Sequence, residues 1–219
     1  MDRSSRGKRR RPSLTPHRRF LIVCEGKTES SYFAFVRERL RSRAVVVKAT
    51  SGQHPDPVSL VEEARRLQRG DHARGIDPAF DEVWVVFDWD GRTEKVCQAL
   101  QTAERYQKIH IALSNPSFEL WLLWHFADFM NPGCDQKSVE EALSKVWLLY
   151  RKDGVAFGVL AGHMADAMRR AESARGAHRR ADRSFPDNRP SSEVDNLIDR
   201  ITSAWRASQG QSYSNQWPY

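Results

Sequence analysis

The sequence of 219 residues predicts an α/β fold with a four-stranded, mainly parallel sheet and helices on both faces. Four short apolar segments alternate along the chain with segments of helical periodicity, and parallel strands need such crossover helices between them. The first of these apolar segments is unbroken, which is typical of a strand buried on both faces. Only helical patterns follow the fourth segment, so we expect a helical C-terminal extension on this sheet.

The four predicted strands are segments in which β-branched and other apolar residues predominate. We place them at residues 19–24, 43–49, 82–87 and 108–113.

Helical patterns separate these strands. Tyr32, Val36 and Leu40 recur every four residues after the first strand. Asp56-Pro57 indicates the start of a second helix, because Asp is a favoured N-cap and Pro is tolerated in the first turn. A third helix is predicted from about residue 93 to residue 106.

The second half of the chain predicts helices alone. Residues 118–126 are apolar almost all round, which indicates a buried helix. Residues 155–177 predict another helix, residues 175–190 a basic polar loop, and Ser191 or Ser192 the cap of a last helix. We therefore divide the chain into a disordered basic arm (1–17), an α/β core (18–130), a helical extension packed on the core (131–207) and a loose C-terminal tail (208–219).

The net charge of +7 is confined to the N-terminus. Residues 1–19 contain eight Lys and Arg and one acid, whereas residues 20–219 contain 27 basic and 27 acidic residues. The arm is either a solubilising tail or a segment that contacts phosphates, whose binding would weaken with salt.

The composition excludes several classes of protein. No apolar run approaches the roughly 20 residues of a membrane helix, and no apolar segment of a secretory signal follows the N-terminal basic residues. The three cysteines, Cys24, Cys97 and Cys134, fit neither a disulfide framework nor CxxC zinc spacing. We therefore expect a cytoplasmic protein with reduced thiols and no membrane partner.

Acidic residues follow two of the predicted strands. Glu25 comes directly after the first, and Asp88 and Asp90 follow the third, at the carboxyl ends where open parallel sheets form their sites. On an extended chain Asp88 and Asp90 point to the same side. Three converging carboxylates repel one another unless a cation neutralises them, and Mg²⁺ prefers oxygen ligands. Each acid alone could be structural, since an acid after a strand is often a helix N-cap.

Longer motifs resemble a known family. An apolar strand with Glu25-Gly26, followed by α/β segments and a second apolar strand with Asp88-x-Asp90-Gly91, is similar to the TOPRIM domain, a Rossmann-like fold of topoisomerases, primases and OLD-type nucleases. The chain more specifically resembles the RloB family, TOPRIM-like bacterial proteins of phage-defence loci that often lie beside an ATPase of the RloA or AbiL type. The motifs that carry this resemblance are Cys24–Glu29, Tyr32-Phe33, Phe87–Asp90 and Ser114–Trp121, within a similarity over roughly residues 18–205.

The resemblance implies a nuclease that depends on Mg²⁺ or Mn²⁺ and cleaves RNA, with tRNA one candidate, or DNA. Glu25, Asp88 and Asp90 would be its catalytic residues and metal ligands, with Glu25 alternatively the general base. The substrate phosphate would be held by Lys27, Ser114 and Asn115. A neighbouring ATPase is the implied partner, and a homo-oligomer is compatible with the sequence.

Other residues have open roles. Glu119, on the apolar helix, is either a further metal ligand or the partner of a core arginine, because a buried carboxylate needs a partner. Glu29 is better explained as an acid in the first turn of a helix, which the helix dipole stabilises, than as a metal ligand. His54 lies in a loop near the same sheet edge and is a minor candidate, and His125 is expected to be a core histidine. Lys27 fits a solvated loop equally well, as Ser114 and Asn115 fit a turn.

Two other functions are weighed against the nuclease. The acids could be structural in a non-catalytic subunit that binds nucleotides or nucleic acid beside the ATPase. A TOPRIM primase or topoisomerase is disfavoured, because the chain is short for their accessory domains and no Tyr has an evident nucleophile context.

Overall fold

The computed structural model describes residues 18–49, 56–73, 80–150 and 157–210. Its strands are β1 (Phe20–Cys24), β2 (Val45–Ala49), β3 (Glu82–Asp88), β4 (Ile109–Asn115) and β5 (Ser191–Ser192). Its α-helices are α1 (Lys27–Arg39), α2 (Pro57–Ala73), α3 (Thr93–Glu104), α4 (Glu119–Trp124), α5 (Gln136–Val146), α6 (Met164–Arg180) and α7 (Val194–Ser208), and a 3₁₀ helix (Phe157–His163) precedes α6. The predicted arm (1–17), His54 and residues 211–219 of the predicted tail lie outside the described residues.

The strands form one sheet in the order β2-β1-β3-β4-β5. β1 to β4 are parallel, so the predicted α/β fold with a mainly parallel sheet is confirmed. The prediction of four strands is one short, because β5 pairs antiparallel with the end of β4. A strand of two residues is too short to show any alternation, so Ser191 and Ser192 predict only a helix cap.

Alternate residues of β1 enter two separate cores. Phe20, Ile22 and Cys24 pack with α1 and with α4 to α7, whereas Leu21 and Val23 pack with α2 and α3. β3 alternates in the same way, and all of its residues are buried. Helices therefore cover both faces, as predicted, and this explains the unbroken apolar run in the sequence.

Helix α6 extends further than the sequence predicts. It continues to Arg180, into the segment predicted as a basic loop, because its buried positions keep helical spacing through Ala171, Ala174 and His178. α7 then begins at Val194 with Glu193 as its N-cap, so the predicted cap at Ser191 or Ser192 is wrong. Ser192 Oγ still accepts from the Val194 N–H at 3.3 Å, from its place in β5. Within the part of the chain that the structure describes, no helix has both the length and the apolar character needed to cross a membrane.

The sheet changes winding direction at β1. Its neighbours β2 and β3 lie on opposite sides, with α1 leading to β2 and α2 leading to β3 across different faces. The crevice between the carboxyl ends of β1 and β3 is therefore a topological switch point, where open α/β sheets bind their ligands.

Candidate active site

Two predicted site residues meet at this switch point. Glu25 follows β1, and its backbone N–H donates to the carbonyl of Val86 in β3 at 3.0 Å. The backbone N–H of Asp88 in turn donates to Glu25 Oε2 at 3.3 Å, across 63 positions of sequence. The pairing of the two strands thus places Glu25 beside Asp88, as the sequence predicts.

A tight turn positions the third predicted acid. Asp90 has φ 46° and Gly91 has φ 74°, so both lie in the left-handed region, which Asp tolerates better than most residues. The extended chain assumed for Asp88 and Asp90 therefore ends at Asp88. Asp88 is buried at the end of β3, whereas Asp90 is exposed at the surface.

Arg92, which the sequence does not single out, links these acids. Its Nη2 lies 2.7 Å from Glu25 Oε1 and 3.6 Å from Asp90 Oδ2, and it also donates to the carbonyl of Asp88 at 3.3 Å. Burial raises the pKa of Glu25, and the hydrogen bond and charge of Arg92 oppose that rise. The one signal in the sequence is an Arg two positions after the second Asp, which is too common to be specific.

Asp88 lies in an environment that disfavours its negative charge. Its Oδ1 is buried and accepts no hydrogen bond from any described residue. Burial raises the pKa of Asp88 well above its usual value, and the negative charges of Glu29, Glu119 and Asp90 raise it further. A hydrogen bond from the Phe118 backbone acts in the opposite direction. The carboxylate therefore lies in a negative field with one oxygen unsatisfied, an arrangement that favours a proton or a cation.

Glu29 belongs to the same acidic cluster. It is a first-turn residue of α1, as predicted, but it is buried, and burial raises its pKa to about 7. The charges of Glu119, Glu25 and Asp90 contribute to that rise. Gly26, the N-cap of α1, allows this close approach, because a Cβ at that position would lie 2.5 Å from Glu29 Oε2.

Glu119 completes the cluster from the first turn of α4. It is buried, and the hydroxyl of Tyr150 donates to its Oε1 at 3.0 Å. The sequence leaves Glu119 either as a further metal ligand or as the partner of a core arginine, and this contact with a tyrosine decides neither, so both stay predictions. The raised pKa values of Asp88 and Glu29 are both caused in part by the charge of Glu119, after burial.

These side chains are suited to a hard divalent cation, because such a cation prefers oxygen ligands and negative charge. Among the described residues, however, no three His, Cys, Asp or Glu side chains form a group arranged to hold a metal ion. Arg92 explains part of this difference, since it is bound to Glu25 and Asp90, two of the three predicted ligands.

A comparison with family models identifies the chain. The model described as RloB-like protein matches residues 20–201. The chain belongs to the RloB-like family. No curated protein and no solved structure matches it. The family model spans β1 to α7, so every acid of the cluster lies within the RloB-like region.

The predicted phosphate-binding residues of this RloB-like chain are in different environments. Lys27 is exposed at the first residue of α1, next to Gly26. Ser114 and Asn115 are fully buried: Ser114 Oγ lies 3.3 Å from Ser192 Oγ, and Asn115 Nδ2 donates to the Pro186 carbonyl and to Asn188 Oδ1. These two side chains hold β4, β5 and the preceding loop together, and their contact with substrate stays a prediction.

His125 has the environment of a core histidine. Its Nδ1 lies 2.9 Å from the carbonyl of Trp121 on the same helical segment. Burial lowers the pKa of His125 to about 3, so the ring is neutral at physiological pH.

An open cleft of about 760 Å³ adjoins the acidic cluster. Trp89, Asp90 and Pro116 line one side, and residues 135–137 and Glu140, at the start of α5, line the other. The guanidinium of Arg189 lies 4.6 Å from the centre of the Trp89 ring and packs on it. The cleft therefore leads from solvent to Asp90 between an aromatic and a polar wall.

Proposed function

We propose that this RloB-like protein is a nuclease of a bacterial anti-phage (abortive infection) system that depends on Mg²⁺ or Mn²⁺ and cleaves RNA, tRNA included, or DNA. The observation that carries the proposal is Asp88: a buried carboxylate with an unsatisfied oxygen, at a topological switch point, surrounded by further acids. Native proteins rarely leave such a group uncompensated unless a ligand completes it.

In this proposal the carboxylates of Glu25, Asp88 and Asp90 hold the cation, with Glu119 as a further ligand. A bound Mg²⁺ supplies a more acidic water and neutralises charge on the scissile phosphate. Glu25 and Asp90 become available when Arg92 turns from them towards the phosphate, which its planar guanidinium suits. Lys27 adds positive charge at the N-terminus of α1, whose free N–H groups also favour anions.

The test uses purified protein with labelled tRNA, single-stranded RNA and plasmid DNA, each with Mg²⁺, Mn²⁺ or EDTA. We expect cleavage of one class, abolished by EDTA and reduced at least about 100-fold in Asp88→Asn, because the isosteric amide removes one charged ligand. Glu94→Gln is the matched control, since Glu94 is an exposed acid in the first turn of α3. Cleavage that survives in Asp88→Asn with EDTA present would exclude the metal mechanism.

A second function is favoured by one observation. Arg92 already neutralises Glu25 and contacts Asp90, as expected if these acids were structural in a non-catalytic subunit that binds nucleotide or nucleic acid beside an RloA- or AbiL-type ATPase. A phage-protection assay with that ATPase present separates the two. The structural alternative predicts full protection by the folded Asp88→Asn variant, and the nuclease predicts its loss.

A further inference from the structure

A second pocket lies at the opposite end of the sheet from the acidic cluster. It has a volume of about 570 Å³ and is lined by Arg19, residues 40–44, Trp205 and Gln209. Arg19 directly precedes β1 and Ala44 directly precedes β2, and the N–H of Phe20 donates to the Ala44 carbonyl at 2.8 Å. The pocket is therefore at the amino-terminal edge of the parallel strands, between the end of α1 and the end of α7.

The lining of this pocket is basic. Arg19, Arg41 and Arg43 contribute to it, and the lining residues that the structure describes include no Asp or Glu. Arg41 and Arg43 are exposed, and neither forms an ion pair with another residue in the described ranges. Two guanidinium groups without carboxylate partners are suited to bidentate contacts with phosphate.

One wall of the pocket is aromatic. Trp205, near the end of α7, is half-buried and packs against the larger core, which holds it in place. Nucleobases stack on Trp rings and on guanidinium planes whatever their sequence. The volume is within the usual range for small-ligand sites, and the combination of aromatic and cationic groups matches a base joined to a phosphate.

The surroundings extend this positive charge. Arg37 and Arg39 lie in the last turn of α1, at the same end of the molecule. The arm of residues 1–17, which contains six Lys and Arg and one acid, joins the fold at residue 18, next to Arg19. Acids also lie at this end of the sheet, but Glu82 is paired with Arg18 and Arg200, and Asp81 Oδ2 accepts a hydrogen bond from the backbone N–H of Arg19.

We propose that this pocket is a nucleotide-binding site, with the phosphate on Arg41 and Arg43 and the base on Trp205. The ligand is either a free nucleotide or one unit of a single-stranded nucleic acid, since both present the same groups. The proposal does not rest on the nuclease activity, because none of the pocket residues belongs to the acidic cluster.

The test measures binding in EDTA, so that metal-dependent contacts at the acidic cluster cannot contribute. A fluorescent single strand of about 12 nucleotides is titrated with the full chain at about 0.15 M salt, and its anisotropy is followed. We expect Arg41→Glu/Arg43→Glu to weaken binding by about tenfold or more. The control Arg37→Glu/Arg39→Glu makes the same change of charge on exposed residues of the adjoining helix, outside the pocket lining, and is expected to weaken binding by less than about threefold. Equal losses in both variants, or no loss in either, would overturn the site.

A second pair of variants tests the aromatic wall. Trp205→Phe keeps a stacking ring and should retain most of the affinity, whereas Trp205→Leu keeps the apolar packing and should lose about fivefold or more. Equal affinity of these two variants, with unchanged melting temperatures, would contradict stacking at this position.

Competition with adenosine 5′-monophosphate separates the two sources. If adenosine 5′-monophosphate displaces the oligonucleotide from the wild type but not from Arg41→Glu/Arg43→Glu, the pocket is a site for a free nucleotide. Oligonucleotide binding without displacement identifies a site for a polymer, and failure of both ligands to bind through the pocket refutes the proposal.

Discussion

The guanidinium of Arg92 lies 2.7 Å from the carboxylate of Glu25 at the switch point. Arg92 follows the left-handed turn after β3, and Glu25 directly follows β1. The ion pair compensates Glu25, but Asp88 and Glu29 remain buried in a negative field, and burial and this field raise both of their pKa values. The site is therefore only partly neutralised.

Replacing Arg92 should have opposite effects on stability and on metal affinity. In Arg92→Gln the partly buried Glu25 loses a charged donor, which should lower the free energy of unfolding by about 1–3 kcal/mol in the absence of metal. Removal of the same positive charge should strengthen Mg²⁺ binding severalfold, measured by calorimetry, because cation and guanidinium compete for the same carboxylates.

The matched control is Arg66→Gln, which breaks the exposed pair between Arg66 and Glu63 on α2. Exposed pairs contribute little, so we expect no resolvable change in the free energy of unfolding and no effect on Mg²⁺ affinity. Weaker Mg²⁺ binding in Arg92→Gln than in the wild type would mean that Arg92 supports the cation instead of competing with it.

The contribution of Glu29 to the stability of the metal-free protein should fall as the pH rises. The pKa of Glu29 is about 7 in the folded state against 4.5 for an ordinary Glu, and the pKa of Asp88 is raised as well. Groups with raised folded pKa values contribute their stability fully below the unfolded pKa and lose it as the pH passes the folded pKa. Glu29 alone accounts for about 3 kcal/mol between about pH 4.5 and pH 8. His125, whose pKa is lowered to about 3, contributes in the opposite direction below about pH 6.5, so the loss is measured as the difference between wild type and Glu29→Gln in urea unfolding with EDTA, in which the His125 contribution cancels. A difference that does not change between pH 4.5 and pH 8 would contradict the raised pKa of Glu29.

Added Mg²⁺ should reverse this loss, and more so at high pH. Protons and Mg²⁺ compete for the same carboxylates, so the rise in melting temperature with Mg²⁺ should be larger at pH 8 than at pH 5.5. In Asp88→Asn the rise should shrink at both pH values. An equal rise at both pH values in wild type and variant would indicate binding elsewhere on the molecule.

Neutralising Glu29 should stabilise the metal-free protein only where Glu29 is ionised. Glu29→Gln keeps the volume of a side chain that is 6% exposed and removes its buried charge. At pH 8 we expect it to raise the free energy of unfolding by up to about 3 kcal/mol, and near pH 4 to change it little. Glu38→Gln, on the exposed face of the same helix, is the control and should be neutral at both pH values. A variant that is less stable than the wild type at pH 8 would mean that the ionised carboxylate is compensated.

The sequence predicts the α/β fold and the meeting of Glu25 with Asp88 for the same reason. The apolar runs of β1 and β3 are unbroken because both strands are buried on both faces, and residues that follow two such strands share one edge of the sheet. The shared edge is thus visible in local pattern, whereas the adjacency of β1 and β3, which brings together two acids 63 positions apart, is shown by the order of the sheet.

The remaining parts of the site depend on contacts that have no local pattern. Arg92 reaches Glu25 only because Asp90 and Gly91 adopt left-handed conformations, which the Asp-x-Asp spacing does not specify. In the sequence, Glu29 is explained by the helix dipole alone, and its burial among the other acids is visible only in the tertiary structure. β5 is a strand only because Ser191 and Ser192 meet the end of β4.

The turn itself can be tested with two glycines in contrasting conformations. Gly91 has φ 74° and no atom within 4 Å of an added Cβ, so Gly91→Ala introduces backbone strain without a clash. We expect it to lower the free energy of unfolding by about 1–2 kcal/mol and, by disturbing Asp90 and Arg92, to change Mg²⁺ affinity.

Gly70 is the control. It lies inside α2, also with open space around an added Cβ, so Gly70→Ala should raise the free energy of unfolding by about 0.5–1 kcal/mol and leave Mg²⁺ binding unchanged. Because both substitutions add one methyl group in open space, opposite signs in urea unfolding isolate the backbone conformation as the cause. Equal stabilisation by both would show that Gly91 does not adopt the left-handed conformation in solution, and the placement of Arg92 beside Glu25 would then lose its structural basis.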